Sequence, residues 1–598
     1  MKALAIFAAV SLASHASGRQ PAKPPGKKEV AAQCAEVLNR IKQGSDLPAA
    51  AKAAEKVLDE VIAFCPASDV ETFREAAFTV RLTRQLSQTP ESLRLDLLAF
   101  LRANDELAQT LVFLIKPEDK VPAAFTLLDR LRAKHPDLGK HPSLVAALCV
   151  VHDQPAAARI NENKAEQADA LELYEYFVTQ RGLVLQPDAL PAEVLVSTVD
   201  IAATMDEVRW AARKYASDPD IGKRYFDVKY DHDAFRKGTT KKVTDAGFTL
   251  PNILSYGGVC ADQAHFAAQV GKSLGVPTAY VFGRNAEVSH AWIGYLEVRG
   301  AKAAWNFNTG RYEGYKGVRG ETADPQTRKR VPDSTLALLA DASTTNASVR
   351  RAAAAMIDAS VRVRDLAKSG AALPQREGKG TKPGRGTTIA DRLELLEAGI
   401  RRCPSYAQGW AVLVDAAKAG ELTLKDKKRW ADVLDRLCAG KYPEFSLDVF
   451  RPMVDTVEDV KERDQLWNSL FNGYRQRPDL AAEIRFAQGS MWEKEQDRAR
   501  AWDCYQDVIQ KFADDGPFTV DAARRCEKLL KEADKSRDIA PMYASLWSRL
   551  SQPKQMAPEF QTQSNWFRVG MLYAIQLDAA GQGSKADEVR GKLGLPKK

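Results

Sequence analysis

The sequence predicts an α+β protein in which a central mixed domain is flanked by two mostly α-helical regions. In the first and last parts of the chain, apolar residues recur at three- and four-residue steps, which is typical of amphipathic helices. Between them lie short runs rich in aromatic and β-branched residues, which are typical of strands. The chain has 598 residues, and at about 150 residues per domain this predicts roughly three to four units.

The first 18 residues have the composition of a secretory signal peptide. Lys2 precedes an apolar stretch, and Ser14-His15-Ala16 provides a small-x-small cleavage site. We therefore expect an exported, bacterial protein that is periplasmic or extracellular, with no integral membrane segment after signal removal; an uncleaved N-terminal anchor is the alternative. Residues 19–28 are rich in Pro, Gly and Lys and predict a tether.

Residues 29–192 predict an all-helical domain. Segments such as EVAAQCAEVLNRI carry the helical spacing, and prolines separate the helices. Residues 193–330 predict the mixed domain, whose strands are PTAYVFG, HAWIGYLEV and AAWNFN. A helical extension follows over residues 331–368, and the basic, Gly/Pro-rich residues 369–388 predict a flexible linker.

Residues 389–598 are again helical, with spacing that resembles the tetratricopeptide repeat. Gly489, Trp492, Ala501 and Tyr505 provide small residues where two helices touch and large ones in the groove between them. A generic helical bundle is the alternative. If the repeats are present, they offer a surface for a protein partner.

The net charge of +8 is spread over the chain, with no basic stripe interleaved with aromatic residues, so we expect no nucleic-acid partner. The eight cysteines form no CxxC motif and have no zinc spacing, and no metal or cofactor is expected. Three pairs lie about one helical hairpin apart and are candidate disulfides: Cys34–Cys65, Cys403–Cys438 and Cys504–Cys526.

Cys260 lies where a glycine turn, Gly257-Gly258, enters a helix of about fifteen residues. Gly275 and Pro277 have the spacing that ends such a helix. The free amides and positive dipole at a helix start favour a thiolate and can bind an oxyanion. The alternative for a lone cysteine is a buried, inert side chain.

His290 opens the strand HAWIGYLEV, and Asn308 ends the next one. If the intervening turn centres on residue 299, His290 and Asn308 face each other with Cβ atoms about 5 Å apart. An amide there can fix the imidazole tautomer. Taken alone, His290 would be a packing residue and Asn308 a turn residue, and Asn306 takes the third position if the register is shifted.

The order of these elements resembles the transglutaminase-like superfamily, whose fold is a rearranged relative of papain. The resemblance rests on Gly258-Val-Cys260-Ala-Asp262, Leu274-Gly-Val-Pro277, His290-Ala-Trp292 and Trp305-Asn-Phe-Asn308-Thr. It implies that Cys260 is the nucleophile, His290 the general base and acid, and Asn308 the residue that orients His290. The family usually has Asp at the third position. We interpret Asp262 as a helix-start carboxylate.

The expected function is cysteine-dependent acyl transfer on a peptide or protein substrate, through a thioester that water or an amine resolves. A peptidase or amidase is slightly favoured over a cross-linking transglutaminase. An inactive transglutaminase-like domain in a protein-binding scaffold is the alternative, and a structural envelope protein is a third hypothesis.

Overall fold

The computed structural model describes residues 25–42, 46–284, 289–300, 302–311, 318–375, 384–553 and 562–597. These residues are mostly helical, with one five-stranded antiparallel sheet and one two-stranded hairpin. At this level the α+β architecture with helical flanks is as predicted. The signal peptide, most of the tether and residues 376–383 of the linker lie outside the described residues. No described helix is long and apolar enough to cross a membrane.

The α-helices up to the end of the central region alternate with short connections. They are α1 (Lys27–Lys42), α2 (Leu47–Phe64), α3 (Val70–Gln88), α4 (Glu91–Ala103), α5 (Asp105–Leu114), α6 (Val121–Lys134), α7 (Pro142–Val151), α8 (Ala170–Thr179), α9 (Ala192–Val199), α10 (Met205–Lys214), α11 (Lys223–Asp227), α12 (His232–Lys237), α13 (Lys242–Ala246), α14 (Leu250–Tyr256), α15 (Cys260–Ser273), α16 (Asp333–Leu339) and α17 (Ala347–Lys368).

The remaining helices fill the C-terminal region. They are α18 (Ile389–Arg402), α19 (Ala407–Lys418), α20 (Leu424–Leu434), α21 (Pro443–Asp455), α22 (Val460–Gly473), α23 (Pro478–Lys494), α24 (Arg498–Lys511), α25 (Phe518–Glu532), α26 (Ile539–Arg549), α27 (Asn565–Ala579) and α28 (Gly583–Lys592). Short 3₁₀ turns occupy Leu138–Lys140, Pro187–Ala189, Ala340–Thr344 and Ser536–Asp538, and a π-turn occupies Asp435–Ala439.

The described residues form two compact units. One comprises those up to residue 83 together with those of 355–398, and the other comprises those of 84–354 and those from 399 onwards. In the first unit, paired charges join distant parts of the sequence. The guanidinium of Arg81 binds both carboxylate oxygens of Asp358. The guanidinium of Arg362 binds both carboxylate oxygens of Asp59. Bidentate arginine–carboxylate pairs combine strength with defined geometry. Arg385, in the predicted linker, is also held, by the carbonyl groups at the end of α2.

The second unit contains the five-stranded sheet. Its strands are β3 (Thr278–Arg284), β4 (Ser289–Arg299), β5 (Lys302–Asn306), β6 (Glu321–Ala323) and β7 (Arg330–Pro332), and its order is β5-β4-β3-β6-β7; β1 (Ala157–Ile160) and β2 (Asn163–Glu166) form the separate hairpin. The three longest strands are the three that the sequence predicts. Helix α15 packs against β3 and β4, so the start of α15 meets the start of β4.

The β1–β2 hairpin corrects the prediction of an all-helical region over residues 29–192. Its strands pair with Ile160 opposite Asn163, which leaves a two-residue turn. Asn161 in this turn has a positive φ of 54°, a conformation that Asn tolerates better than most residues. The strands are only four residues each, too short for their alternation to show among the surrounding helices.

In the C-terminal region, the helix pair α23–α24 packs as the tetratricopeptide-like spacing predicts. A Cβ atom on Gly489 would lie 2.7 Å from the ring of Tyr505, so this position has room only for glycine. Trp492, Ala501 and Tyr505 are all buried. The small-against-large packing is therefore confirmed for this pair.

Candidate active site

Two glycines shape the turn that presents Cys260. Gly257 has a φ of +81°, and a Cβ atom there would lie 2.4 Å from the carbonyl oxygen of Lys229. A Cβ atom on Gly258 would lie 2.5 Å from a carboxylate oxygen of Asp262. Neither position can hold a side chain without moving its neighbours, because real Cβ contacts are longer. Gly258 is hydrogen-bonded to the backbone of residues 229–231. The Gly-Gly pair thus lets the chain pass close to this backbone before it enters α15.

Cys260 is the first residue of α15, as predicted. Asp262 closes the helix start, since its Oδ2 accepts a hydrogen bond of 2.7 Å from the N–H of Val259. The same carboxylate binds the ammonium of Lys241 at 2.7 and 2.9 Å, and both side chains are buried. The interpretation of Asp262 as a helix-start carboxylate is confirmed, and the sequence gives no signal for its partner Lys241.

The far end of α15 is fixed just as firmly. Gly275, with a φ of +80°, donates to the carbonyl of Lys272 and ends the helix as the sequence predicts. The buried ammonium of Lys272 binds the carbonyl of Asp200 at 2.6 Å and its carboxylate at 3.4 Å. Arg328 binds the other oxygen of that carboxylate at 2.8 Å.

Strand β4 brings His290 to the same place. Antiparallel pairing sets His290 opposite Gly283 on β3, and the backbone N–H of the next residue, Ala291, donates to the sulfur of Cys260. The nucleophile candidate therefore contacts the residue directly after the candidate base. His290 is itself buried.

The backbone carbonyl of Gly310 binds the ring of His290. The Nε2 atom lies 2.6 Å from the carbonyl oxygen of Gly310. A carbonyl can only accept, so Nε2 carries the proton and Nδ1 carries the lone pair in the neutral ring. Gly310 has a φ of +79°, and a Cβ atom there would lie 2.6 Å from the ring of Tyr225, so only glycine places its carbonyl in this position without a clash.

The predicted register between β4 and β5 is wrong by three residues. The strands pair Tyr295 with Asn306 and Arg299 with Lys302, so Asn308 does not lie opposite His290. Asn308 is exposed in the turn after β5, where its N–H donates to the side chain of Asn306. The fallback residue Asn306 binds Tyr295 and Glu297 through its amide nitrogen. Neither asparagine takes the orienting position that the resemblance implies.

The electrostatic environment favours a neutral pair. Burial raises the pKa of the Cys260 thiol, the N–H groups of Ala291 and Ala261 oppose that rise, and the charge of Asp262 adds to it. Burial lowers the pKa of His290 to about 4, with the Gly310 carbonyl acting in the opposite direction. The helix-start amides act in the expected direction, but burial outweighs them. Both the Cys260 thiol and the His290 imidazole are therefore neutral in the resting protein.

Trp292, the third residue of the His-x-Trp motif, belongs to the core. It is wholly buried and packs with Ala279, Val281 and Leu336. The guanidinium of Arg311, the residue after Gly310, lies 5.3 Å from the centre of its ring. Trp292 therefore supports the strand that carries His290.

Cys260 differs from every other cysteine. All eight are described and none of them forms a disulfide, so the three candidate disulfides are wrong. Seven are buried and Cys260 alone is half-buried. In the described part of the chain, no group of three or more His, Cys, Asp or Glu side chains is arranged to hold a metal ion.

Neither the models of known protein families nor the sequences of curated proteins match this chain. The resemblance to the transglutaminase-like superfamily thus rests on the sequence motifs alone.

Proposed function

We propose that the protein is an exported, cysteine-dependent acyl-transfer enzyme with a transglutaminase-like site, acting on amide bonds of peptides or proteins. One observation carries the proposal: the only accessible thiol begins a buried helix and contacts the residue next to a histidine whose tautomer is set. With Nε2 hydrogen-bonded to the Gly310 carbonyl, Nδ1 is the basic nitrogen of the neutral ring, and the proposal assigns it the thiol proton.

The neutral pair defines a mechanism in which deprotonation accompanies attack. Nδ1 of His290 takes the thiol proton while Sγ of Cys260 bonds to the amide carbon, and amides of the first helical turn receive the oxyanion. The C–N bond then breaks, and His290 gives the proton to the leaving amine. The remaining thioester is resolved by water, or by an amine, whose proton passes through His290 back to the sulfur. Hydrolysis is slightly favoured over cross-linking.

A carbonyl in place of a carboxylate has a consequence for pH dependence. It fixes the ring but adds no negative charge to stabilise an imidazolium. Because the pKa of His290 is lowered to about 4, the base stays neutral, and therefore competent, down to about that pH. The acidic limb of kcat/KM should lie near pH 4 instead of the 6 to 7 of an ordinary histidine.

The test is turnover of generic amide substrates by the full chain. Ammonia or new amino termini report hydrolysis of a mixed peptide library, and incorporation of a labelled primary amine into casein reports transfer. We expect Cys260→Ala to abolish turnover and His290→Ala to reduce it by about 10²- to 10⁴-fold, the usual contribution of a general base. Cys65→Ala, which removes a buried thiol elsewhere, is the matched control. Turnover that survives Cys260→Ala would refute the mechanism.

A binding scaffold remains the second candidate, favoured by a cavity of about 620 Å³ among α24, α25 and α26. Trp502, Met542 and Leu546 are part of its lining. If this is the function, a peptide found by screening the full chain should lose affinity on Trp502→Ala and keep it on Cys260→Ala. The opposite pattern would assign peptide recognition to the Cys260 site.

A further inference from the structure

Three aromatic side chains with large exposed areas lie on the segments that border the Cys260 turn. The exposed fraction is 62% for Phe226, 49% for Tyr256 and 40% for Phe235. Single exposed apolar residues are common on protein surfaces, but several around one reactive group indicate a binding surface. We call these three residues the aromatic rim.

Each rim residue is connected to the site by a short series of contacts. Tyr256 directly precedes the Gly257-Gly258 turn. The ring of Phe235 lies 5.9 Å from that of Tyr230, whose backbone bridges to Gly258.

Phe226 reaches the site from the other side. Its ring lies 5.2 Å from that of Tyr225. The hydroxyl of Tyr225 donates to the carbonyl of Ala291 at 3.0 Å, and Ala291 is the residue whose N–H contacts the sulfur of Cys260. Three separate segments thus lead to the nucleophile, and each carries one exposed ring.

The segment that carries Phe226 and Phe235 is rich in basic side chains. Between residues 223 and 242, six charged side chains are exposed and five of them are Lys or Arg, Asp233 being the exception. Asp233 is paired with Lys237 at 3.4 Å. A partner that approaches this surface gains from carboxylates, in addition to an apolar side chain that covers the rings.

We propose that the aromatic rim is the acyl-donor subsite of the enzyme, and that it selects peptide segments with a large apolar or aromatic side chain beside the reactive amide and with acidic neighbours. This inference rests on the proposed function. Aromatic rings bury large areas and pair well with other rings, which suits them to anchor such a side chain.

The test uses electrophilic peptides that alkylate Cys260. Four acetyl-dipeptidyl chloromethyl ketones combine Phe or Ala next to the electrophile with Asp or Lys before it. The rate of Cys260 labelling by each probe is measured by peptide mass spectrometry. It is divided by the rate of Cys260 alkylation by iodoacetamide, so that general changes in thiol reactivity cancel. The seven other cysteines are buried, which keeps the signal specific.

We expect the Asp-Phe probe to label the unaltered protein at least about tenfold faster than the Lys-Ala probe, in the range that one apolar contact supplies. Phe226→Ser, Phe235→Ser and Tyr256→Ser should each lower this ratio about threefold or more. Leu95→Ser, which alters a side chain that is 51% exposed elsewhere, should leave it unchanged.

Equal labelling by all four probes would overturn the inference, as would a preference that persists in all three rim variants. If the rim variants instead changed only the sedimentation coefficient, the rim would be a contact between copies of the chain. Failure of the proposed function has a different signature: no probe would label Cys260, or His290→Ala would leave every labelling rate unchanged.

Discussion

The two ends of α15 are each fixed by a lysine–aspartate pair, yet the two pairs differ in charge balance. At the start of the helix, Lys241 alone binds the buried Asp262. At its end, Asp200 receives both Lys272 and Arg328. The carboxylate near the nucleophile thus has one cation, which it shares with Glu162. The carboxylate at the far end has two, and we call this group of Asp200, Lys272 and Arg328 the anchor.

The difference is visible in the carboxylates. Burial raises the pKa of Asp262, and Lys241 offsets only part of that rise. Burial also acts to raise the pKa of Asp200, but the charges of Lys272 and Arg328 outweigh it and hold that pKa below its ordinary value. The negative charge of Asp200 is therefore held more firmly than that of Asp262, which lies close to the thiol that loses its proton in the proposed reaction.

The largest effect should come from breaking the anchor. Asp200→Asn leaves the buried Lys272 and the guanidinium of Arg328 without their carboxylate, and removing one partner of such a pair costs about 3–5 kcal/mol. Urea denaturation followed by tryptophan fluorescence measures the loss. The alkylation rate of Cys260 in the folded variant should stay within about twofold of the original. A rate change larger than that of the Asp262 variant below would mean that the anchor also controls the site.

Asp262→Asn should cost less stability and alter the chemistry more. The amide oxygen still accepts from Val259, and Lys241 keeps Glu162 at 3.3 Å, so we expect a loss of about 1–3 kcal/mol. Because the charge of Asp262 raises the pKa of Cys260, its removal should speed alkylation at pH 8 roughly two- to fivefold, less than the tenfold of one pKa unit. A slower rate would show that Asp262 acts mainly by holding the helix start.

The two pairs should also respond to pH in opposite directions. A carboxyl group with a raised pKa in the folded state stabilises the protein most below its unfolded pKa, near 4, and loses that contribution as the pH rises through the folded pKa. The free-energy difference between the original protein and Asp262→Asn should therefore shrink from pH 4 towards pH 8. For Asp200, with a lowered pKa, the corresponding difference should be constant above about pH 4 and shrink only in more acid solution. The midpoints of urea denaturation at four pH values compare the Asp262→Asn and Asp200→Asn variants with the original protein. Parallel trends for the two variants would contradict the pKa directions given for Asp262 and Asp200.

Much of this site was predictable because it is local in sequence. The glycine turn, the start of α15 at Cys260 and its end at Gly275 follow from residues within one helix length. The strand that carries His290 is equally clear from its alternation. These features need no knowledge of what packs against them.

The partners of these residues could not be predicted, because they come from elsewhere in the chain. Lys241 lies 21 residues before Asp262, in a segment without periodicity. The register of β4 and β5 depends on a turn in which Arg299 pairs with Lys302 and Gly300 has a φ of +60°. Since a turn of unknown type shifts every pair, the sequence predicts Asn308 next to His290, where the carbonyl of Gly310 lies.

The smallest expected effect concerns the residue that the family resemblance puts at the third position. Asn308→Ala removes an exposed side chain that is not opposite His290, so the rate of Cys260 alkylation should change by less than about twofold, as is usual for exposed sites. Gly310→Ala is the comparison, because its Cβ atom would collide with the ring of Tyr225 and displace the carbonyl that fixes His290. We expect a larger loss of turnover from that variant, with near-ultraviolet circular dichroism as the check on folding. If instead Asn308→Ala lowered turnover tenfold and Gly310→Ala did not, the amide of Asn308 would orient His290 during catalysis. The site at the start of α15 would then be one that rearranges when substrate binds.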